Sequence, residues 1–338
     1  MGGDHAPDMV IEGADIARER FPHVHFQVFG DQEKVTPLLA SRSRLSEVCT
    51  VHHTDEFVSN DAKPSQALRG GKRSSMRLAI EAVRDQNAAG VVSAGNTGAL
   101  MAMSKIVLRT LPGIDRPAMI SFFPTIRGES VMLDLGANID CNSNNLVQFA
   151  VMGEVFARTV VGTIRPTVGL LNVGEEELKG NDTVKAAHGV LSNADLPMDF
   201  RGFIEGDDIA AGTVDVIVTD GFSGNIALKT AEGTARLYTT FLRDAYRSSG
   251  IAKIGYLFAR PALEKLKIRL DPRRYNGAVF VGLNGISVKS HGGADALGFA
   301  TAIGVAVDMA ANGFIDKIRE ELEVLDTSPL EDPKAIAS

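Results

Sequence analysis

The stretch SVMLDLGANIDCNSNNLVQFAVMGEVFARTVV, residues 130–161, decides the fold class. It opens with an apolar run at Ser130–Leu135 and continues through a turn rich in Gly, Asn and Asp. It closes with Asn144–Val161, where apolar residues recur at helical spacing. A short strand that is apolar nearly throughout is typical of a parallel sheet covered by helices on both faces. The stretch therefore predicts a buried β-strand followed by an α-helix.

The same order of strand, polar turn and helix recurs along the chain. Further strands are predicted at His25–Gly30, Gly90–Ser93, Met119–Phe123, Thr167–Asn172, Asp215–Thr219 and Ala278–Val281, and further helices at Asp182–Ser192, Leu228–Arg247 and Asp295–Ala311. This alternation builds right-handed βαβ units, so we predict an α/β fold, a three-layer α/β/α sandwich with a doubly wound, mostly parallel sheet. One large domain is expected at 1–325, with a helical excursion near 248–274 and a mobile polar tail at 326–338.

The composition narrows the functional classes. The chain has 338 residues with a formal net charge of −7, which gives no electrostatic support to nucleic-acid binding. The two cysteines, Cys49 and Cys141, stand in no Cys/His spacing typical of a metal site, so we expect a reduced, cytoplasmic protein without a metal. No apolar stretch reaches the roughly 18 to 20 residues of a membrane span, so we expect contact with a membrane only at its surface.

Five polar, glycine-rich turns follow the strand regions: Ser93–Gly98, Asp134–Asp140, Asn172–Asn181, Thr219–Asn225 and Val288–Gly293. Ligands bind beyond the carboxyl ends of parallel strands, so we expect the five turns to meet at one edge of the sheet as a composite site. Each turn taken alone is more typical of a helix cap, because Asn, Asp, Ser and Gly are favoured there without any ligand. A helix cap needs neither a lysine nor a histidine, so the presence of Lys179 and His291 in these turns favours the composite site.

One of these turns has the features of an anion site, and its candidate phosphate-binding residues are Ser93, Gly95, Asn96, Thr97 and Gly98. Glycines let the backbone approach a ligand, and the free N–H groups at the start of the next helix attract an anion. The loop lacks the spacing of a Walker A or dinucleotide motif, so no nucleotide cofactor is expected. Lys72 and Arg73, in the basic stretch upstream, are candidate substrate contacts, although a charge run is as typical of a solvated face.

Taken together, seven segments resemble signatures of the PlsX-type phosphate acyltransferases: Met1–Pro7, Lys63–Met76, Ser93–Ala99, Leu133–Cys141, Gly174–Asn181, Asp220–Asn225 and Ser290–Gly292. The resemblance implies a fold like that of the isocitrate and isopropylmalate dehydrogenases, and a homodimer without cofactors. It implies a reaction in which acyl-acyl-carrier-protein and inorganic phosphate give acyl phosphate and free carrier protein, feeding phospholipid synthesis. It also implies a cytoplasmic protein held peripherally at the inner face of the cell membrane, beside a membrane glycerol-phosphate acyltransferase that takes the product.

The start of the chain departs from the pattern that the resemblance implies. Such proteins usually begin with a short apolar strand before the Met-Gly-Gly-Asp segment, whereas Met1 is here the methionine of that segment. We therefore expect either a native start upstream of Met1 or a missing first strand.

For the implied reaction, a phosphate oxygen attacks the thioester carbonyl, an oxyanion forms and the carrier thiolate leaves. The leading catalytic candidates are Lys179, as a cation for phosphate or oxyanion, and Asn225, as a neutral donor. His291 is a third candidate, either as the proton donor to the thiolate or as a helix cap. Asn138 and Asn181 are further candidate substrate contacts.

The segment at 251–270 is basic and apolar within an acidic chain. Its candidate contacts with a membrane or with acyl carrier protein are Leu257, Phe258, Arg260, Lys265 and Lys267. A helical hairpin packed on a dimer partner explains the same pattern equally well.

Two other functions stay open. A phosphate acetyl- or butyryltransferase that uses acyl-CoA shares the implied fold and reaction. A non-catalytic membrane scaffold that binds acyl carrier protein belongs to a different class.

Overall fold

The computed structural model describes residues 1–269 and 271–327. Within them the strands are β1 Phe26–Gly30, β2 Cys49–His53, β3 Gly90–Ser93, β4 Ala118–Pro124, β5 Glu129–Leu133, β6 Thr167–Leu171, β7 Asp199–Ile204, β8 Val216–Val218, β9 Ala278–Val281 and β10 Ile286–Lys289. β1 and β2 form a small parallel sheet, and the other eight form one sheet in the order β3-β10-β9-β4-β5-β8-β6-β7.

The helices of the same residues are α1 Asp8–Arg20, α2 Gln32–Ala40, α3 Ser43–Ser46, α4 Pro64–Gly70, α5 Ser75–Arg84, α6 Thr97–Leu108, α7 Ser143–Phe156, α8 Asp182–Asn193, α9 Gly206–Ala211, α10 Gly221–Arg247, α11 Gly250–Arg269, α12 Ala296–Ala311 and α13 Phe314–Thr327. A π-helical turn, Ala157–Val161, extends α7, and a 3₁₀ turn, Pro272–Tyr275, precedes β9.

The strands of the large sheet run in two opposite directions. β3 and β10 are parallel to each other, and β5, β8, β6 and β7 are parallel to one another. β9 is antiparallel to both β10 and β4, and β4 is antiparallel to β5. Consequently β3, β4 and β10 end at one edge, here called the upper edge, while β5 to β9 end at the opposite, lower edge.

Both faces of the sheet are covered, as β5 illustrates. Val131 and Leu133 pack into the core that contains α7, while Met132 points to the opposite face and packs near α10. These three side chains are at most 1% exposed. Burying a side chain of this size stabilises the fold by about 1.5 to 3 kcal/mol relative to leaving it in water. The predicted α/β class, with a mostly parallel sheet between helical layers, is confirmed.

Most predicted elements are present with bounds shifted by a few residues. The prediction missed β2, β7 and β10, and it began α10 at Leu228, seven residues after its actual start at Gly221. β2 reads CTVHH and β7 reads DFRGFI, so polar residues interrupt their apolar pattern. α13 ends at Thr327, inside the predicted tail 326–338, whose other residues lie outside the described part of the chain.

Helices α10 and α11 form a projecting hairpin. α10 has 27 residues, so it is about 40 Å long, far longer than the strands beside it. The rings of Tyr246 and Tyr256 join the two helices, with centroids 5.5 Å apart. At the base, Arg269 donates to the carbonyl oxygens of Thr125 and Ile126 in the β4–β5 turn. Because β4 ends at the upper edge, the hairpin returns to the sheet at that edge.

Within the residues that the structure describes, no single helix is long and apolar enough to cross a membrane, although α12 together with Phe314–Glu323 meets that criterion by length and composition with a 52° bend.

Candidate active site

The five predicted turns do not meet at one edge of the sheet. The turns after β3 and β10, which contain Ser93 and His291, lie at the upper edge. The turns after β5, β6 and β8, which contain Asn138, Lys179 and Asn225, lie at the lower edge. The prediction of a single edge was wrong because the antiparallel pairings in the middle of the sheet reverse the strand direction. The chain therefore carries two separate groups of candidate residues.

At the upper edge, Asn96 organises the predicted phosphate loop. Its side-chain oxygen accepts from Ala99 N at 2.9 Å and so caps α6. Its amide nitrogen donates to the carbonyl oxygens of Ser59, Asn60 and Ala62, at 3.3, 2.8 and 2.9 Å. Because both ends of the side chain are occupied, Asn96 positions the loop and has no free amide for phosphate.

The remaining loop residues leave backbone donors at the start of α6. Ser93 Oγ accepts from Gly95 N at 3.2 Å, which closes a tight turn. Among the described residues, the backbone N–H groups of Thr97 and Gly98 meet no protein acceptor. They lie in the first turn of a 12-residue helix, where backbone N–H groups attract anions.

The first residues of the chain close over this loop. Gly2 packs so tightly that an added Cβ would lie 2.8 Å from the Cα of Gly95. Asp4 N donates to Gly292 O at 3.0 Å, and Asn60 Nδ2 donates to Asp4 Oδ1 at 3.0 Å. These contacts bring the start of the chain, the 59–62 loop, the 93–98 loop and the 290–293 turn together at the upper edge.

His291 is exposed at this edge and has a fixed orientation. Its backbone N–H donates to Asn276 Oδ1 at 2.9 Å, and its Nδ1 accepts from Gly293 N at 3.1 Å. Since Nδ1 is an acceptor, the neutral ring carries its proton on Nε2. In this tautomer Nε2–H can donate a hydrogen bond.

Lys289, at the end of β10, is the residue of this edge that the sequence analysis missed as a candidate. It is 8% exposed, and its ammonium donates to the carbonyl oxygens of Ala94 and Ser290. Burial lowers the pKa of Lys289 to about 8, while the nearby Asp4 charge acts in the opposite direction. A lysine ending an otherwise apolar run, Ile286-Ser-Val-Lys289, is the signal that could have identified it.

Lys72 and Arg73 lie between α4 and α5 and are exposed. Arg73 pairs with Glu56 at 3.6 Å, and the start of α4 lies beside the 93–98 loop, because a Cβ on Gly98 would be 2.8 Å from Pro64 Cγ. The basic stretch thus borders the upper edge, with its cations directed largely toward solvent.

At the lower edge, Asp134 fixes the turn after β5. Its Oδ1 accepts from the backbone N–H groups of Met119, Gly136 and Ala137, and its Oδ2 accepts from the backbone and the side chain of Asn138. Burial raises the pKa of Asp134, and these donors oppose the shift by stabilising the carboxylate. Asn138 Nδ2 also donates to Pro117 O at 2.8 Å, so its amide holds the turn rather than a substrate.

A pocket of about 420 Å³ opens at the lower edge, where the N-termini of α7, α8 and α10 approach one another. It is lined by Ile139, Asp140, Cys141, Leu146, Asn181, Thr183, Val184, Asp220 and Phe222. Asn181 and Asp220 are the N-caps of α8 and α10, accepting from Val184 N and Ser223 N. Burial raises the pKa of the Cys141 thiol to about 11, which keeps it protonated at neutral pH.

Lys179 and Asn225 lie near this pocket but do not line it. Lys179 is exposed in a loop that Asn172 holds by donating to the carbonyl oxygens of Gly174 and Lys179. Asn225 is exposed in the first turns of α10 and donates to Leu135 O at 3.2 Å. Both side chains are therefore accessible at the lower edge.

In residues 1–269 and 271–327, no group of three or more His, Cys, Asp or Glu side chains is placed to hold a metal ion.

Comparison with known proteins gives close relatives along nearly the whole chain. The model of the family described as "Fatty acid synthesis protein" matches residues 1–317. A protein of Paramagnetospirillum magneticum named phosphate acyltransferase is 64% identical over 325 residues, covering 96% of this chain and 93% of the relative. One of the same name from Rhodospirillum centenum is 66% identical over 322 residues, covering 95% and 91%.

Solved structures show a likeness of fold. A phosphotransacetylase from Streptococcus pyogenes superposes with a TM-score of 0.53 at 17% identity, covering 87% of this chain and 97% of that one. The EutD phosphotransacetylase from Staphylococcus aureus superposes with a TM-score of 0.51 at 14% identity, covering 88% and 98%.

Replacing Asp134 with Asn is expected to lower the free energy of unfolding by roughly 3 kcal/mol or more, because the new amide N–H₂ faces backbone donors in a buried turn. Denaturant unfolding measures the change. Asp140→Asn, an exposed carboxylate of the same turn, is the control and should stay within about 0.5 kcal/mol of the parent. Equal losses in the two variants would contradict the assigned role of Asp134.

Proposed function

This chain belongs to the fatty acid synthesis protein family, whose relatives above are named phosphate acyltransferase, and we propose that it transfers an acyl group from acyl carrier protein to inorganic phosphate. The observation that carries the proposal is the 64% identity with a phosphate acyltransferase across 96% of the chain. The chain is thus a phosphate acyltransferase, and the acyl donor is the proposed part. The geometry of the upper edge is compatible with an anion, since the first turn of α6 offers free N–H groups.

The reaction needs orientation and charge stabilisation rather than a covalent intermediate. A phosphate oxygen attacks the thioester carbonyl and forms the C–O bond, the carbonyl oxygen becomes an oxyanion, and collapse of this intermediate breaks the C–S bond and releases the carrier thiolate. Proximity lowers the barrier by several kcal/mol, and each oxyanion donor contributes about 3 kcal/mol. We assign phosphate to the 93–98 loop, a hydrogen bond from Nε2–H to the departing thiolate to His291, and stabilisation of the oxyanion to Lys179 and Asn225.

Phosphate-dependent release of free thiol from an acyl carrier protein tests the function directly. We expect release with phosphate and none with sulfate, because sulfate binds like phosphate but gives no stable acyl product. Acyl-CoA should react at least about 10-fold less efficiently in kcat/KM if the donor is carrier protein. Equal efficiency with acyl-CoA would favour the acetyl- or butyryltransferase alternative, and no release from either donor would favour the scaffold.

We further propose that the working enzyme is a homodimer whose active sites take residues from both protomers. The support is the reversal of strand direction. Within one chain, the 93–98 loop and His291 lie at the upper edge, whereas Lys179 and Asn225 lie at the lower edge. In a two-fold symmetric dimer, a contact between the upper edge of one protomer and the lower edge of its partner is made twice. Two complete sites would result.

Subunit mixing tests the shared site. His291→Ala and Lys179→Ala should each cut turnover by about 100-fold or more with little change in melting temperature. After subunit exchange in a 1:1 mixture, activity should recover to about a quarter of the parent, because half of the dimers then carry one intact site.

The matched control is a mixture of Lys179→Ala with Asn225→Ala, two changes at the same edge, which should recover nothing. A first mixture no more active than its components would place each site within one chain, and near-parental turnover of Lys179→Ala alone would remove Lys179 from the mechanism.

The α10–α11 hairpin is proposed to meet an anionic membrane surface. Neither Leu257 nor Phe258 is covered by the protein, at 66% and 84% exposure, and Arg260, Lys265 and Lys267 are exposed beside them. An apolar surface of this extent in water is typical of an interaction site. Each cation near an anionic bilayer adds about 1 kcal/mol of attraction.

Flotation with vesicles containing anionic phospholipid tests this contact. Phe258→Glu should reduce vesicle binding by about 10-fold or more, because it places a charge in the apolar face. Ile164→Glu, at an equally exposed apolar residue outside the hairpin, is the control and should bind as the parent does. Unchanged flotation of Phe258→Glu with a raised KM for acyl carrier protein would assign the hairpin to the carrier instead.

A further inference from the structure

Lys289 is a buried cation for which the fold provides no matched counter-charge. It ends β10, paired in register with Ser93 of β3 and Ala278 of β9, and is therefore fixed inside the sheet. In the described part of the chain its ammonium has two acceptors, both neutral carbonyl oxygens, of Ala94 and Ser290. Removing a charge from water is costly unless another charge compensates.

The nearest compensating group is only partly available. Asp4 is the carboxylate whose charge acts on Lys289, but it forms no ion pair with it and instead accepts from Asn60 Nδ2. An ammonium has three N–H donors, and two carbonyl partners leave one for a ligand. A neutral side chain could also donate to the carbonyl oxygens of Ala94 and Ser290. These two hydrogen bonds alone therefore do not explain why the residue is a lysine.

The groups around this ammonium favour the binding of an anion. Ala94, which accepts from Lys289, belongs to the loop that leads into α6, where the N–H groups of Thr97 and Gly98 meet no acceptor among the residues that the structure describes. His291 follows two residues later on the same turn. A cation, free backbone donors and a helix N-terminus therefore belong to one group of connected loops.

We propose that Lys289 is a phosphate-binding residue: its ammonium, fixed beneath the 93–98 loop, supplies the positive charge that holds the phosphate nucleophile at the upper edge. The inference rests on the proposed function and names the group that orients its second substrate. It also explains why a lysine occupies a position that packing alone would fill with an apolar residue.

Steady-state kinetics of Lys289→Met test the assignment. The phosphate KM should rise by about 30-fold or more, because a charged hydrogen bond to the anion is lost, while the KM for acyl carrier protein changes less than about threefold. Lys289→Arg keeps the charge and should fall between the parent and Lys289→Met. Lys105→Met, an exposed lysine in the last turn of α6, is the matched control and should behave as the parent.

The pH dependence of kcat/KM for phosphate distinguishes phosphate binding by Lys289 from a purely structural role of this residue. The ammonium form of Lys289 predominates below its pKa of about 8 and is lost above it, so kcat/KM for phosphate should fall as the pH rises from 7.5 to 9. This fall should be absent in Lys289→Met. If that variant does not fold, the rise in the parent's melting temperature caused by phosphate alone should shrink over the same pH interval.

The outcomes separate this inference from the proposed function. A parent enzyme without phosphate-dependent thiol release would overturn the function itself. An active parent with a folded Lys289→Met of unchanged phosphate KM, or a phosphate-induced melting shift that is independent of pH, would overturn only the role of Lys289.

Discussion

The antiparallel pairing of β4 with β5 is the constraint on which the functional geometry depends. Three antiparallel pairings in the middle of the sheet divide its strands into two groups of opposite direction. Since helices begin where strands end, the division also sends the helix N-termini, with their unpaired N–H groups, to two opposite edges. The polar turns are divided in the same way: the 93–98 loop follows β3, and the turn of Asp134 follows β5. The candidate residues therefore fall into two groups at opposite edges, and this separation is the reason for proposing a site shared between two copies.

The sequence predicts the layers of this fold well, because strands that are buried on both faces appear in it as apolar runs. It predicts strand direction poorly here, since a strand buried on both faces gives a continuous apolar run whatever its direction, and β9 is such a run with antiparallel neighbours on both sides. Part of the missing information was nevertheless present in loop length. Only four residues, Thr125 to Gly128, separate β4 from β5, and a parallel crossover needs a dozen or more. The same argument applies to the four residues between β9 and β10, but β10 itself was not recognised. These hairpins account for two of the three reversals, which cancel each other, and the third, the pairing of β4 with β9, separates the turns into two groups without a short loop to mark it in the sequence.

The candidate site shows a similar limit for individual residues. Asn96, Asn181 and Asp220 cap helices, and Asn138 holds a turn, so the residue types that suggested ligand contacts are largely used by the backbone. Capping and ligand binding are not exclusive, however, because a cap leaves other N–H groups of the first turn unpaired. Composition of a turn therefore indicates where an anion can bind but not which side chain touches it. A buried charge is more informative, because its desolvation requires compensation that packing cannot supply. Lys289 meets that criterion, but its burial was not recognised because the short strand that it ends, β10, was not predicted from the sequence.

The position of the hairpin connects the chemistry to the surroundings of the enzyme. α11 returns to the sheet at the β4–β5 turn, so the exposed apolar side chains of the hairpin extend from the same edge as the 93–98 loop and His291. An acyl phosphate joins a charged head to an apolar chain, and such a product is poorly soluble when its chain meets water. If phosphate is held at the upper edge, the head group forms there and the chain has an apolar surface beside it on the same side of the molecule. A hairpin at the opposite edge would require the product to cross the polar rim of the sheet first. Under the two proposals, the acyl chain would be released on the side of the molecule that carries the hairpin, so the location of the phosphate site and that of the hairpin depend on each other.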